Sequence, residues 1–437
     1  QFLIRPKLRG TNLIGGQAIV NALLNETKKR NIEIYNKIFI TDLLKSKNNS
    51  RIGGAIGFNR INGEFHIFQA KAVVLAASNN SFRGNYACTQ ATTGSSYKLA
   101  YEIGAILRNM EFIYINTGSP IFGFEGTGPI CQMGAQFKNK NNEAFMVKYD
   151  PRLKDKTDAG IISKSMALEV KNGRGPPLYL DFSKVGKSLQ IVSNFMGGWM
   201  PLHIKRLKKL DSAHFSQQQE WIPTMQIMLG GVYTNFDCES TVPGLFAAGD
   251  CHSAGGLGGF NGMASAHCAW SGTHAGIGAA KYIKNADNTT LDYDQINLLK
   301  KSLYKPLDRD QGKTPEEILL KMQAIIFPYD VMIIRHKERL ENALRKISKL
   351  RQDTMLADDF HNLTKLKEVE NMLLCAELFL KASIMRKESR KDYYRQDYPN
   401  VDNKNWLKWI LVKKNKEKNQ SDFYTEPLIW EDPSIIK

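Results

Sequence analysis

The chain has no CxxC pair, no recognisable signal peptide, and no strand–GxGxxG–helix signature in its first 40 residues. Each absence excludes something. Cysteines at 88, 131, 238, 251, 268 and 375 lie too far apart for zinc or iron–sulfur spacing, so neither a metal site nor a disulfide framework is expected. They are predicted to be buried free thiols of a reducing, cytoplasmic setting, with Cys251 singled out by its place beside Asp250. No apolar run approaches the roughly 20 residues of a membrane-spanning helix, so no transmembrane segment is expected. Acidic residues are in deficit, leaving a net charge of +17, but the lysines are dispersed. The densest basic clusters, 205–209 and 413–418, lack the interleaved aromatics of a single-strand-binding platform, so nucleic acid is not expected as a partner. The chain opens on Gln1 without an initiator Met, inside what reads as folded sequence, and is expected to have lost an amino-terminal segment.

What is present is most informative near position 250. Thr241-Val-Pro-Gly-Leu-Phe-Ala-Ala-Gly-Asp250 reads as a short apolar strand that stops at Gly249 and presents one carboxylate. A glycine-rich stretch from Gly255 to Gly262 follows. Open α/β sheets bind ligands at such strand ends. Glycine lets main chain approach a bulky cofactor, and a carboxylate there accepts hydrogen bonds from sugar-like hydroxyls. Ser265, Ala266, Ala269, Ser271, Gly272 and Ala275 suit a helix packed under a flat ligand. The run points to a flavin or dinucleotide site.

Periodicity and punctuation organise the rest. They predict helices over 13–30 and 97–107, and strands over 32–39, 52–59, 65–69, 111–115 and a buried 71–77. From about 116 to 222 short strands and many glycines take over, with a helix near 161–171 and a strand over 178–182. The apolar strand pattern resumes at 225–234, as if a second unit were inserted into the first. Amphipathic helices over 315–327, 329–350 and 363–385 suggest a bundle. The tail, 396–437, is polar, with Trp406, Trp409 and Trp430 as anchoring side chains.

Seven segments in order carry a resemblance. They are Lys71-Ala-Val-Val-Leu-Ala-Ala77; Thr92-Thr-Gly-Ser-Ser-Tyr-Lys-Leu-Ala100 with Gly104-Ala105; and Met110-Glu-Phe112. Then come Ala167-Leu-Glu-Val-Lys-Asn-Gly-Arg-Gly175 with Tyr179-Leu-Asp181, Leu229-Gly-Gly-Val232, and 244–250. Arg386-Lys-Glu-Ser-Arg390 with Tyr394-Arg-Gln-Asp-Tyr-Pro399 completes the set. Together they resemble the flavoprotein subunits of the fumarate reductase and succinate dehydrogenase family, which includes the adenylylsulfate reductase alpha-subunit branch. The resemblance implies an α/β fold with an α+β cap. A split FAD-binding domain (1–112 and 224–288) would hold an inserted capping domain (113–223), followed by a helical bundle domain (289–395) and a tail (396–437). It implies FAD as cofactor, a small-molecule substrate and, as partner, an iron–sulfur protein subunit. The cofactor-binding residues it implies are Ala77, Thr93, Gly94, Gly249, Asp250, Gly259, Asn261 and Ser265.

The sequence departs from the family at the chemistry. Asn116 stands where the family's first histidine belongs, Cys131 and Met133 where an Arg and a Glu belong, and Ala159 at the proton-delivering arginine. Gln226 replaces the second histidine, and Gly262 follows Asn261 where the clamping arginine is expected. Fumarate or succinate turnover is therefore not expected. The expected function is that of an FAD-dependent oxidoreductase with an unassigned substrate. The alternatives are a non-catalytic flavoprotein remnant and an adenylylsulfate reductase alpha-like subunit. Candidate catalytic residues are His252, Arg174, Gln226 and Asn261, although the two amides bind without carrying acid–base chemistry. Arg386, Arg390 and Arg395 are expected to pair with Glu388 and Asp397.

Overall fold

The computed structural model describes residues 16–47, 50–86, 89–121, 127–185, 218–253, 263–415 and 417–428. The chain forms two compact units, Gln1–Asn36 with Thr117–Pro223, and Lys37–Asn116 with Thr224–Lys437.

In the first unit, the helix Ala159–Lys171 starts at Asp158, whose carboxylate accepts the Gly160 N–H and so caps the helix. Its Ile162 and Met166 enter a core with Phe137, Leu180, Phe182 and Trp221. An antiparallel sheet of Gln136–Lys138, Tyr179–Asp181 and Gln218–Glu220 supplies much of that core. The helix Gly16–Lys29 belongs to the same unit and carries exposed apolar side chains at Ile19, Val20, Leu23 and Leu24. The strand predicted over 32–39 starts only at Ile38: Asn31 and Lys37 take left-handed backbone, which breaks the extended run, and Ile32 and Ile34 are exposed.

In the second unit, Ile38–Lys45, Ile52–Asn59 and Phe65–Gln69 form an antiparallel meander. Its middle strand reads Ile-Gly-Gly-Ala-Ile-Gly-Phe-Asn because both neighbours press on its main chain. A Cβ on Gly57 would lie 2.3 Å from the Phe39 carbonyl oxygen. Beside it, Val73–Leu75 and Leu245–Ala247 pair in parallel, with Ala247 opposite Leu75. The predicted buried strand over 71–77 is thus shorter, and Val74 is 42% exposed. The long helix Met263–Asn285 lies against this pair through Ala275, Ala279 and Tyr282.

The carboxyl-terminal half is helical. Thr314 and Glu317 form a capping box at Pro315–Ile326. Phe360–Met385, predicted as amphipathic from 363, is instead buried along most of its length, with Glu368, Glu370 and Glu377 held in ion pairs. The single helix predicted over 329–350 is two, Tyr329–Met332 and Lys337–Leu350. Ile334–Arg335 leaves helical geometry to pair in parallel with Tyr394–Arg395. The polar tail is also more ordered than its composition suggests. Lys408–Asn415 and Gln420–Pro427 form a hairpin added to Leu107–Arg108 and Gly231–Val232. Trp409 stacks on Arg108 and Trp406 on Arg386, whereas Trp430 lies outside the described residues.

The expected arginine pairs form, and they form a core. Arg386, 1% exposed, donates to Glu111, to Glu388 and to the carbonyls of Trp406 and Lys408. Arg390 joins it on Glu388, and Arg395 pairs with Asp397. Removing one partner of a buried pair leaves an uncompensated charge, which costs about 3–5 kcal/mol. Arg386→Met should therefore lower stability by that amount in urea denaturation, and adding Glu111→Gln should recover part of it.

Candidate functional site

The carboxyl ends of the two parallel strands form the site. Past Ala247, the Ala248 N–H still bonds the Leu75 carbonyl at 2.9 Å. The chain then turns at Gly249, whose φ of +70° is the left-handed region that only glycine enters freely. That turn presents Asp250 half-buried at the strand end. The Gly249 N–H donates to Ser271 Oγ (2.9 Å), and the Ser271 hydroxyl donates to the His267 carbonyl (2.6 Å), tying the turn to the long helix. Asp250 accepts from Ser78 Oγ at 3.3 Å and Asn79 Nδ2 at 3.2 Å, with the Cys268 thiol 3.8 Å from its second oxygen.

Asn79 links this carboxylate to a second group of predicted residues. Its carbonyl accepts from the Gly94 N–H at 3.0 Å, and Asn80 pairs with Thr93. Gly94 has φ +74°, and a Cβ there would meet the Cys375 sulfur at 2.5 Å. Hence Thr93, Gly94, Gly249 and Asp250 are brought together, while Ala77 and Ser265 are exposed on the strand end and the first turn of the helix. Asn79 is 1% exposed, and its side-chain oxygen has no donor among the described residues. Gly259 and Asn261 lie outside the described residues.

His252 is buried directly after the turn. Its Nε2 lies 2.6 Å from Thr234 Oγ1 and its Nδ1 3.2 Å from His267 Nε2. Burial, with help from His267 and Arg108, brings its pKa down to about 4. His267 is also held below the ordinary histidine range by burial, against the pull of Asp250. Trp270 and His274 extend the ring cluster along the helix.

Gln226 meets Asn116 across neighbouring strands, its Oε1 3.4 Å from the Asn116 amide nitrogen, which also donates to the Tyr86 hydroxyl at 3.2 Å. The strand Ile222–Met228 reaches the Asp250 group at Met228, whose N–H bonds the Asn80 carbonyl at 2.9 Å. Arg174 belongs to the other unit, where both its Nε and Nη2 bond Glu169 at 2.6 and 2.7 Å. Its guanidinium is engaged as a turn-closing ion pair.

Two features escape sequence reasoning. Arg108 donates to the hydroxyl and carbonyl of Ser253 and stacks between Tyr233 and Trp409, anchoring the residue that precedes the glycine-rich stretch. No local pattern marks it, since its partners are distant in sequence. The cysteines also divide differently from the expectation. Cys251 is buried, its thiol pushed up to about 11 by desolvation, whereas Cys268 is exposed beside Asp250.

Residues 4–267 match the FAD binding domain family, and residues 320–435 match the fumarate reductase flavoprotein C-terminal family. The chain belongs to the fumarate reductase and succinate dehydrogenase flavoprotein family. Among its relatives is one subunit of the fumarate reductase (CoM/CoB) of Methanothermobacter marburgensis, 28% identical, the match covering 92% of this chain and 74% of that protein. The succinate dehydrogenase flavoprotein subunit of Rickettsia conorii is 25% identical over 91% of this chain and 70% of that one. In fold, Mycobacterium smegmatis Sdh1 superposes with a TM-score of 0.80 at 24% identity over 96% and 73% of the two chains. Adenylylsulfate reductase from Archaeoglobus fulgidus gives 0.79 at 21% identity over 95% and 76%.

FAD is the family's cofactor, and the residues present fit it. The exposed small side chains Ala76, Ala77, Ser265, Ala266 and Ala269 leave room for a flat group, and the unsatisfied Asn79 oxygen offers a buried acceptor. No described helix is long and apolar enough to cross a membrane.

Two outcomes follow from the burial pattern. Of the five described cysteines, Cys268 should react first with a thiol reagent on the native protein, and Cys251 among the slowest, as read by peptide mass spectrometry. Because the folded pKa of His252 lies below its unfolded value of about 6.5, the unfolded chain binds more protons between pH 6.5 and 4. Its contribution, up to about 3 kcal/mol, is present above pH 6.5 and lost as pH falls toward 4. The denaturation midpoint of His252→Gln should depend less on pH across that window.

Proposed function

We propose that this FAD-dependent oxidoreductase acts on a substrate held by neutral hydrogen bonds and not on fumarate or succinate. The observation that carries the reading is the Asn116–Gln226 pair. Two carboxyamides meet where the resemblance calls for cation-forming histidines. Amides donate and accept hydrogen bonds but cannot compensate two substrate carboxylates, nor act as general acid or base. Bound FAD supplies the two-electron chemistry. The chain's own residues hold and orient: Asp250, fixed by Ser78 and Asn79, accepts hydrogen bonds from cofactor hydroxyls, and the left-handed Gly249 keeps main chain close beside it.

The adenylylsulfate reductase alpha-like reading draws on the segment from Arg386 to Arg395, Asp402 and Trp406. In the fold, however, Arg386 and Arg395 serve Glu111, Glu388, Asp397 and main-chain carbonyls, so their presence speaks for stability and not for a phosphate site. An iron–sulfur protein remains the proposed partner, supported by relatives that are themselves named as subunits.

The test is flavin content followed by flavin bleaching. Asp250→Ala should weaken FAD binding about 10- to 100-fold, the effect of losing charge-assisted hydrogen bonds worth about 1.5–3 kcal/mol. Succinate should leave the bound flavin oxidised, and fumarate should not reoxidise the reduced protein. Succinate-dependent bleaching at a family-like rate would overturn the substrate reading. Bleaching by sulfite with AMP would transfer it to the sulfur branch. Unchanged FAD affinity in Asp250→Ala would remove Asp250 from the cofactor site.

A further inference from the structure

A two-electron reaction on an organic substrate also moves protons, and the Asn116–Gln226 pair can supply none. We propose that Thr234, His252 and His267 form a proton relay between solvent and the Asp250 end of the site, with His252 as a positioning residue that decides which nitrogen of His267 carries the proton. Thr234 Oγ1 and His252 Nε2 are 2.6 Å apart, and His252 Nδ1 and His267 Nε2 are 3.2 Å apart. Thr234 and His267 are each partly exposed, while His252 between them is 9% exposed, so the chain has two open ends and a closed middle.

The two hydrogen bonds restrict where protons sit, because a neutral imidazole carries one N–H. With its proton on Nδ1, His252 donates to His267 Nε2; His267 then carries its own proton on Nδ1, and Thr234 donates to His252 Nε2. In the other arrangement, His267 Nε2–H donates to His252 Nδ1, and His252 Nε2–H donates to Thr234 Oγ1. The two rings therefore always share one tautomer. Passage of a proton toward the site converts the first arrangement into the second. His267 releases its Nδ1 proton and takes the Nδ1 proton of His252 on Nε2. His252 takes the Thr234 hydroxyl proton on Nε2, and water reprotonates Thr234. Each bond to hydrogen that breaks is matched by one that forms, and transfer in the reverse direction resets the rings.

The surroundings keep both rings neutral near pH 7. Burial lowers both, and it dominates over the opposing pull of Asp250 and of the Gly249 and His252 carbonyls on His267. Among the described residues, the other titratable groups facing the pair are Cys268 beside Asp250, Arg108 on Ser253 with Tyr233 stacked on it, and His274 beyond Trp270. Arg108 adds a fixed positive charge that disfavours a second one on His252. Trp270 lies against both imidazoles and limits how far either ring can turn away.

Use of the relay in turnover rests on the flavin reading; its existence does not, so the decisive test needs no turnover. Nitrogen-15 spectra of the histidine rings in the full chain at pH 7 should show His252 and His267 in the same tautomer or the same mixture. Thr234→Val removes a partner of His252 only, yet it should shift the tautomer ratio of both rings at least threefold toward the Nδ1–H form, because an unpaired nitrogen lone pair is tolerated better than an unpaired buried N–H. Rings in opposite tautomers, or a His267 ratio unmoved by Thr234→Val, would overturn the relay. If the variant fails to fold, the tautomer match in the unaltered protein decides alone. Flavin content of Thr234→Val should equal that of the parent, which separates failure of the relay from failure of the cofactor reading.

Discussion

The site depends on parallel pairing between two strands of three residues each, Val73–Leu75 and Leu245–Ala247. Parallel ladders are slightly weaker per residue than antiparallel ones, and three residues are few. The pairing persists because main chain is pressed into place on both sides. A Cβ on Gly244 would meet Ile52 at 2.7 Å, Tyr282 at 2.9 Å and the Lys71 carbonyl at 3.0 Å. On the long helix, a Cβ on Gly278 would meet the Asp237 carbonyl at 2.6 Å and the Phe246 ring at 2.9 Å. These approaches set the distance between strand ends. That distance decides whether Ser78 and Asn79, leaving one strand, can reach Asp250, leaving the other.

The parts of this arrangement legible in the sequence are those built from neighbouring residues. Leu245 through Gly249 announces by composition alone a short apolar strand that stops at the glycine, and Asp250 follows from being next in line. Two strands of the meander, 52–59 and 65–69, are legible in the sequence, whereas its first strand runs over Ile38–Lys45 and not over 32–39. The helices over 315–326 and 360–385 are legible from their length and apolar content, to within a few residues of their ends. The misreadings share a cause. Ile32 and Ile34 alternate like a strand, but the left-handed residues at Asn31 and Lys37 are set by the local turn, which composition does not reveal. Ile334–Arg335 sits inside a helix-period run and leaves it only because Tyr394–Arg395 offers a ladder. The terminal hairpin becomes part of a sheet through Leu107–Arg108, which lies far back in the chain.

The same distinction separates the proposed cofactor residues from their supports. Thr93, Gly94, Gly249 and Asp250 lie in segments with family-like wording. Asn79, Arg108, Thr234 and His267 have none, yet they orient Asp250, Ser253 and His252. Arg386 is the intermediate case. Its segment is conspicuous and invites a functional role, but its four donor contacts go to two carboxylates and two carbonyls. A guanidinium so occupied fixes the strand that follows Glu111, and through it the position of Asn116.

Charge then decides what the proposed substrate pocket rewards. A dicarboxylate needs cations pointed at it, and Arg108, the strong cation beside the turn, directs its Nε and Nη2 hydrogen bonds to Ser253 and lays its face on two rings. Asn116 and Gln226 touch at 3.4 Å, near the outer limit of a hydrogen bond. Exchanging so long a contact for a better one with a ligand loses little, whereas a ligand without matching donors and acceptors would leave amides desolvated and unpaired. Selection by such a pair is steep, since a site built to hydrogen-bond its substrate rejects analogues lacking the group far more strongly than an apolar pocket rejects a missing methylene. Neutrality at the amides and burial-enforced neutrality at the histidines thus point the same way. On the proposed reading, recognition runs on hydrogen-bond geometry, and the imidazoles of His252 and His267, kept neutral by burial, belong to the Asp250 end of the site.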